Sequence, residues 1–189
     1  MLSFIRKIWP FSAFAAREAR MMEQVRAVLA QQDATWRGMS TEELAELSDE
    51  ELYNAAQSRV TAGMEACADT AERLSILNDV GRIFYVACCY ETIICAKGSR
   101  DFFAGEGEIL LPLLGDALHR IGAWDQRAAL DELVQACEKS DGGIVGAARE
   151  SAKKPQKDDT FAQFDRKFAQ MESVRGALIA YVRANLSDF

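Results

Sequence analysis

Between Thr70 and Lys97 the chain is apolar on nearly every helical face. Leu74, Leu77, Val80, Phe84, Ala87, Cys88 and Ile94 recur at the three- and four-residue spacing of one buried stripe, interrupted by Glu91. Ile76, Ile83, Tyr85, Val86 and Cys89 make the other faces apolar too. A helix without a polar face has no side to give to water, so other helices must surround it. The spacing therefore predicts an all-α fold: a single-domain multi-helix bundle around a buried central helix over 70–97, closed by Gly98 at its C-cap. With 189 residues, 49% of them apolar and three prolines, the chain is long enough to build one such core. No strand alternation, internal repeat or low-complexity tract competes with this reading.

The flanking segments supply the surrounding helices. Residues 12–32 read as a helix with Ala19, Met22, Val25, Val28 and Leu29 inward, ending before Thr35, Trp36 and Gly38. Ser40 with Glu43 and Ser48 with Glu51 form two successive capping boxes, each placing a hydroxyl at the N-cap and a carboxylate three residues on. The first opens a short helix. The second opens a longer one carrying Leu52, Ala56, Val60, Met64 and Cys67 on one face. Gly105 and Gly107 mark a loop, 109–121 reads as a helix stopped by Gly122, and 125–139 as a helix capped by Asp125. Segments 140–143 and 153–159 are polar connections around a short, weakly periodic stretch. The chain thus divides into an N-terminal amphipathic segment and helix over 1–39 and an acidic all-helical domain over 40–189.

At the N-terminus, Arg6 and Lys7 are mixed with Leu2, Phe4, Ile5, Ile8, Trp9, Phe11 and Phe14. Trp9 and Pro10 interrupt the apolar core that a signal peptide needs, and no run approaches the roughly 18 apolar residues of a membrane span. The segment is expected to pack against the domain or a partner, with an interfacial helix as the alternative. Membrane association is not expected. Five cysteines, Cys67, Cys88, Cys89, Cys95 and Cys137, form no C-x-x-C pair and have no histidine nearby, so they read as buried reduced thiols of a cytoplasmic protein.

The last thirty residues repeat Phe161, Phe164 and Phe168 at helical intervals, followed by Val174, Leu178, Tyr181 and Val182, which predicts a docked C-terminal helix. The pattern F-x-x-F-D-x-x-F, then L-x-x-Y-V-x-x-N ending in Phe189, resembles the closing helix of the bacterial DNA-mimic protein family, small acidic all-helical proteins. Glu91, Gly98, Phe102, Phe103 and the run Ile121, Gly122, Ala123 also match that family's middle, although its N-N-G-G-F turn here reads Cys95, Ala96, Lys97, Gly98, Ser99. The resemblance covers about 48–189, as a divergent member. It implies a non-enzymatic protein whose carboxylates imitate duplex phosphates and occupy the nucleic-acid site of a basic DNA-binding protein or nuclease, as an inhibitor acting in transcription regulation or as an immunity protein. It implies no cofactor.

Charge distribution gives that implication a location. Residues 1–39 hold six basic and three acidic groups, whereas 40–80 hold two and ten, so most of the net charge of -7 arises in one fifth of the chain. Such a segment repels nucleic acid and attracts a basic protein. The candidate partner-binding carboxylates are Glu42, Glu46, Asp49 and Glu50, extended by Asp69, Glu72 and Asp79, with Glu106, Glu108 and Asp116 as a second cluster. Against this stands a structural role: acids at helix starts stabilise the macrodipole and cap backbone amides, which fully accounts for Glu43 and Glu51. Arg59, Arg73 and Arg82 are placed to neutralise part of the field.

Catalysis finds little support. His119 is the sole histidine and sits near a helix end, and no nucleophile elbow, zinc motif or phosphate loop is present. No catalytic or metal-binding residue is assigned. Glu91 is expected to bond either a neighbouring helix N-terminus or the Lys97 and Arg100 loop. Two classes stay open: an acidic module that inhibits a nucleic-acid-binding partner, and a small-ligand-binding or scaffold module whose acidic helices are merely solvated. Homo-oligomerisation is compatible with both.

Overall fold

The computed structural model describes residues 9–153 and 159–189; the side chains of 9–17 and of Arg20 lie outside the described set, as does most of the apolar and basic segment over 1–14 and the connection over 154–158. Two compact units result, one ending at Ser40 and one spanning Thr41–Phe189. Among the described residues there are eleven α-helices and no strand, so the protein is all-α. No described helix is long and apolar enough to cross a membrane.

The first unit is built on α1, Trp9–Gly38. It runs past the expected end at Gln32, and within the added turn the Thr35 hydroxyl donates to the Gln31 carbonyl at 3.0 Å. Ala19, Met22, Val25, Val28 and Leu29, expected inward, are all exposed. The periodicity is real, but a unit made of one helix offers no second apolar surface to bury it.

The second unit contains α2 (Thr41–Ala45), α3 (Asp49–Val60), α4 (Thr70–Ile76), α5 (Asp79–Lys97), α6 (Ser99–Ala104), α7 (Gly107–Arg120), α8 (Trp124–Ala136), α9 (Gly143–Lys153), α10 (Thr160–Phe168) and α11 (Arg175–Ala184). The expected central helix over 70–97 is broken. Leu77 and Asn78 are extended, and the Asn78 side-chain oxygen accepts from the Gly81 amide at 2.7 Å, so Asn78 caps a new helix. Arg82 donates to the carbonyls of Leu74 and Leu77 and satisfies the end of α4. The centre of the bundle is therefore α5, with Val86, Ala87 and Tyr90 fully buried, packed against α3, α6, α7 and α11.

Several boundaries shift for local reasons. The Ser48–Glu51 capping box forms, with the Ser48 amide donating to the Glu51 carboxylate at 3.1 Å. Helix α3 ends at Val60, which leaves Met64 on a separate 3-10 turn and Cys67 half-buried beyond it, rather than on one continuous face. Asp125 lies in the first turn of α8 behind Trp124 and is not its cap. The weakly periodic stretch is α9, which packs on α6 and α8 through Ile144 and Ala148. Only Cys137 among the cysteines is buried; Cys67 beyond the 3-10 turn and Cys88 and Cys89 on α5 are half-buried, and Cys95 near the end of α5 is exposed. Burial still pushes the Cys89 thiol up to about 11.

The C-terminal region is two helices rather than one. Helix α10 packs on α6 and α8, and α11 packs on α3 and α5. Tyr90 meets Phe102 and Phe168 edge-on at 5.6 Å each, Phe102 meets Phe103 at 4.9 Å, and Phe103 meets Phe161 at 6.4 Å. Rings in this tilted arrangement gain beyond their buried area. Gly98 ends α5 at φ +88 and begins α6 with no side chain to cap it. The carboxylate of Asp165 on α10 takes that role, accepting from the Ser99 amide at 2.8 Å. Nearby, the Arg100 guanidinium bonds Asp159 at 2.8 Å and Ser151 at 2.9 Å, tying α6 to α9 and to the start of α10.

Two outcomes follow from this junction. A Cβ at Gly98 would lie 2.9 Å from Oδ2 of Asp165, in a backbone conformation L-residues avoid. Gly98→Ala should destabilise the protein by about 1–3 kcal/mol, read as a melting temperature several degrees lower; an unchanged value would show that the turn is not constrained. For Asp159, burial alone would raise the pKa, but hydrogen bonds from Ser151, the Ala162 amide and Arg100 outweigh it and hold the carboxyl below its ordinary value. Its stabilisation is therefore full above the unfolded carboxylate pKa of about 3.9 and is lost as pH falls through the lower folded value. Asp159→Asn should be less stable than wild type at neutral pH and show a shallower loss below about pH 4 in pH-dependent melts.

Candidate functional site

All ten candidate carboxylates are exposed, but they are not equally available. Asp49 pairs with Arg183 at 2.6 Å and Glu50 with Arg175 at 2.9 Å, so α11 neutralises the start of α3. Arg183 also donates to the Leu47 carbonyl at 3.1 Å, and the Arg175 guanidinium lies over the Tyr53 ring at 4.4 Å. These arginines are therefore held in place by more than the carboxylates they face.

The remaining acids are also engaged. Asp69 caps α4 by accepting from the Glu72 amide at 2.9 Å, and the Glu72 carboxylate accepts from the Ala68 amide at 2.6 Å. Glu106 accepts from the Thr70 hydroxyl, which brings the second cluster against the helix that Asp69 starts. Arg120 gathers Asp79 at 2.6 Å and Asp116 at 4.0 Å, and Arg149 pairs with Glu108 at 2.5 Å. Arg120, Arg149, Arg175 and Arg183 thus neutralise much of the field, and the Arg73 guanidinium also feels the Glu106 carboxylate. Arg82 is bound to carbonyls, and the Arg73 guanidinium is raised first by its hydrogen bond with Tyr85.

Glu42 and Glu46 stand apart. Both are exposed on and just beyond α2, and neither has an ion pair or side-chain hydrogen bond to another described residue. Glu51 is occupied by its capping box, and the Ser48 hydroxyl and amide lower its pKa. The Thr41–Phe189 unit carries 16 basic and 26 acidic residues, a net charge of -10 against +3 for the first forty residues. Its acidity is a property of the whole unit, and Glu42 and Glu46 are the candidates among the ten whose charge nothing described offsets.

Three other features noted in the sequence have clear positions. The Val174 amide at the start of α11 donates to the half-buried Glu91 carboxylate at 2.9 Å, so Glu91 bonds a helix N-terminus and not Lys97 or Arg100. His119 is exposed at the end of α7, with its ring edge-on to Trp124 at 4.8 Å. A groove between α3 and α5 lined by Val60, Phe84, Tyr85, Cys88, Cys89 and Ile93 encloses about 180 Å³.

The family model for DMP19-like protein matches residues 75–185, more than half of the chain. The chain belongs to the DMP19-like protein family. That family is one of DNA mimics. The matched stretch contains Gly98, Phe102, Phe103, Asp165 and the aromatic residues of α10, which meet at the α5–α6 junction, and Glu91, which bonds the start of α11. Asp79, Glu106, Glu108 and Asp116 lie inside it, whereas Glu42, Glu46, Asp49, Glu50, Asp69 and Glu72 precede it. No curated protein and no solved structure matches the chain.

The position of Glu91 can be tested directly. Glu91→Ala leaves a helix-terminal amide without its acceptor and should destabilise the DMP19-like domain by about 1–3 kcal/mol, whereas Glu91→Gln keeps an oxygen there and should lose less. Thermal melts of the two variants decide it: equal losses would mean that the negative charge, and not the hydrogen bond, is what α11 requires.

Proposed function

We propose that the Thr41–Phe189 unit is a non-catalytic protein-interaction module that occupies the nucleic-acid site of a basic DNA-binding protein or nuclease and thereby inhibits it. Family membership supports the class of function, and the unpartnered pair Glu42 and Glu46 on a unit of net charge -10 is the observation that carries it to a surface. A nucleic-acid-binding site is built to neutralise phosphates that follow one another at about 3.4 Å per strand, and carboxylates four residues apart on a helix are offset by about 6 Å. Free carboxylates can meet the partner's lysines and arginines at once. Those already bound to Arg175, Arg183 or Arg120 must first exchange one cation for another.

The small-ligand reading has less to use. The apolar groove beside Cys88 is smaller than the roughly 300–1,000 Å³ of ordinary ligand cavities, and a roomier depression of about 620 Å³ is lined mainly by the exposed charged residues Glu108, Asp141, Arg149, Glu150 and Lys153 rather than by apolar side chains. A general-base role for His119 also lacks a partner of the kind such chemistry requires, since its described neighbour is the Trp124 ring.

Ion pairs to α11 make Asp49 and Glu50 poor positions for a clean test, because reversing them would set like charges against Arg183 and Arg175. Glu42→Lys with Glu46→Lys changes the local charge by four units and breaks no described contact. Wild type should displace duplex DNA from a captured basic partner, and the double variant should do so about tenfold less well, chiefly through slower association, at an unchanged melting temperature. The difference should shrink as salt is raised. Equal competition by the variant would remove this face from the mechanism, and recovery of only non-basic partners would favour the scaffold reading.

A further inference from the structure

Helix α1 carries an exposed apolar stripe whose pattern reads the same in both directions. Met21, Met22, Val25, Val28 and Leu29 are 55%, 48%, 47%, 64% and 54% exposed. At 100° per residue these five span about 120° of the helix surface with Val25 on the centre line. Two polar residues flank the stripe, Glu18 before it and Gln32 after it, each seven residues from Val25 and each about 20° from the centre line. Reversing the helix about Val25 exchanges Glu18 with Gln32, Met21 with Leu29 and Met22 with Val28.

That symmetry is what an isologous two-fold contact needs, in which residue i meets j and j meets i. We propose that α1 pairs antiparallel with α1 of a second copy of the chain, with the two-fold axis at Val25. Met21 and Met22 then pack against Leu29 and Val28 of the second copy, and each Glu18 carboxylate accepts from the Gln32 amide of the second copy. The two polar residues meet each other instead of meeting an apolar side chain. Parallel pairing would place Glu18 against Glu18 at the end of the seam, where two like charges repel. A phosphatidylserine surface would set Glu18, at the edge of the stripe, against anionic headgroups that repel it. Both alternatives fail at the same residue, and the antiparallel pair satisfies it. The apolar seam between Met21 and Leu29 is short, so the contact belongs with small, weak interfaces, and its dissociation constant should be micromolar.

Sedimentation velocity on the full chain at roughly 1–100 µM should show a reversible monomer–dimer equilibrium. Val25→Glu places two carboxylates on the axis and should leave monomer only. Gln32→Arg gives Glu18 an ionic partner and should tighten the dimer about five- to tenfold, whereas Gln32→Glu should loosen it. The pair of Gln32 variants reports register and direction independently of Val25, because in a parallel pair Gln32→Arg would set two arginines side by side and weaken association. The proposal is overturned if wild type stays monomeric over this range, if Val25→Glu leaves the dimer intact, or if Gln32→Arg weakens it. Binding of monomeric wild type to phosphatidylserine vesicles, lost in Val25→Glu, would overturn it in favour of a membrane-facing stripe.

Discussion

The turn at Gly98 is the constraint on which the Thr41–Phe189 unit depends. It ends α5, which packs against four other helices, and starts α6 immediately, so a single residue must both terminate and initiate. A backbone at φ +88 achieves the first, and the absence of a side chain leaves the second undone. Asp165 completes it from α10, and Arg100, two residues after Gly98, reaches Ser151 and the N-cap of α10, Asp159. Three helices distant in sequence are thereby fixed around one junction. The aromatic residues follow from this placement: α6 sets Phe102 and Phe103 beside Tyr90, and α10 brings Phe161 and Phe168 to the same group. The Tyr90 hydroxyl is buried there with no hydrogen-bond partner among the described residues, so packing of the ring, and not its polar tip, is what keeps it inside.

Much of this fold was legible in the sequence because it is written in local chemistry. The Ser48–Glu51 box, the Gly98 stop and the all-helical class each rest on residues within a few positions of one another, and local rules suffice to find them. Breaks inside apolar runs were not legible in the same way. Leu77 and Asn78 sit in a stretch whose period continues through them, and only the competition between an Asn side chain and the helical backbone opens the chain there. The C-terminal thirty residues fail for a related reason: periodicity is the same on both sides of the gap after Phe168, so the stripe continues although the helix does not. Six residues between Gly98 and Gly105 are too few to show a period at all, which is why α6 reads as loop.

The acidic surface shows a different limit. Counting charges along the chain finds the region and its sign, and every candidate carboxylate is indeed exposed. It cannot find which are already paired, because the neutralising residues come from far away: Arg183 reaches Asp49 across 134 positions, and Arg120 reaches Asp79 across 41. Only the Asp116 and Arg120 pair, four apart on one helix, carried a local signal. Arg59, Arg73 and Arg82, nearer in sequence, were the natural guesses, yet Arg82 is bound to the carbonyls that end α4.

Pairing and net charge act at different ranges, and the distinction governs how such a surface works. An ion pair removes a carboxylate from direct competition for a partner's arginine, but it leaves the total of -10 unchanged, since both members were counted already. Far from the surface a basic protein responds to that total, within the Debye length of about 8 Å at physiological ionic strength. At contact it responds to individual oxygens and to what they are already bonded to. Asp49, Glu50, Asp79 and Glu108 contribute to attraction at a distance and must trade one guanidinium for another on docking, which yields little net energy in water-exposed positions. Glu42 and Glu46 contribute at both ranges. Under the proposed function the surface would be broad in its attraction and narrow in its contact, the narrow part being a five-residue helix and the residue after it.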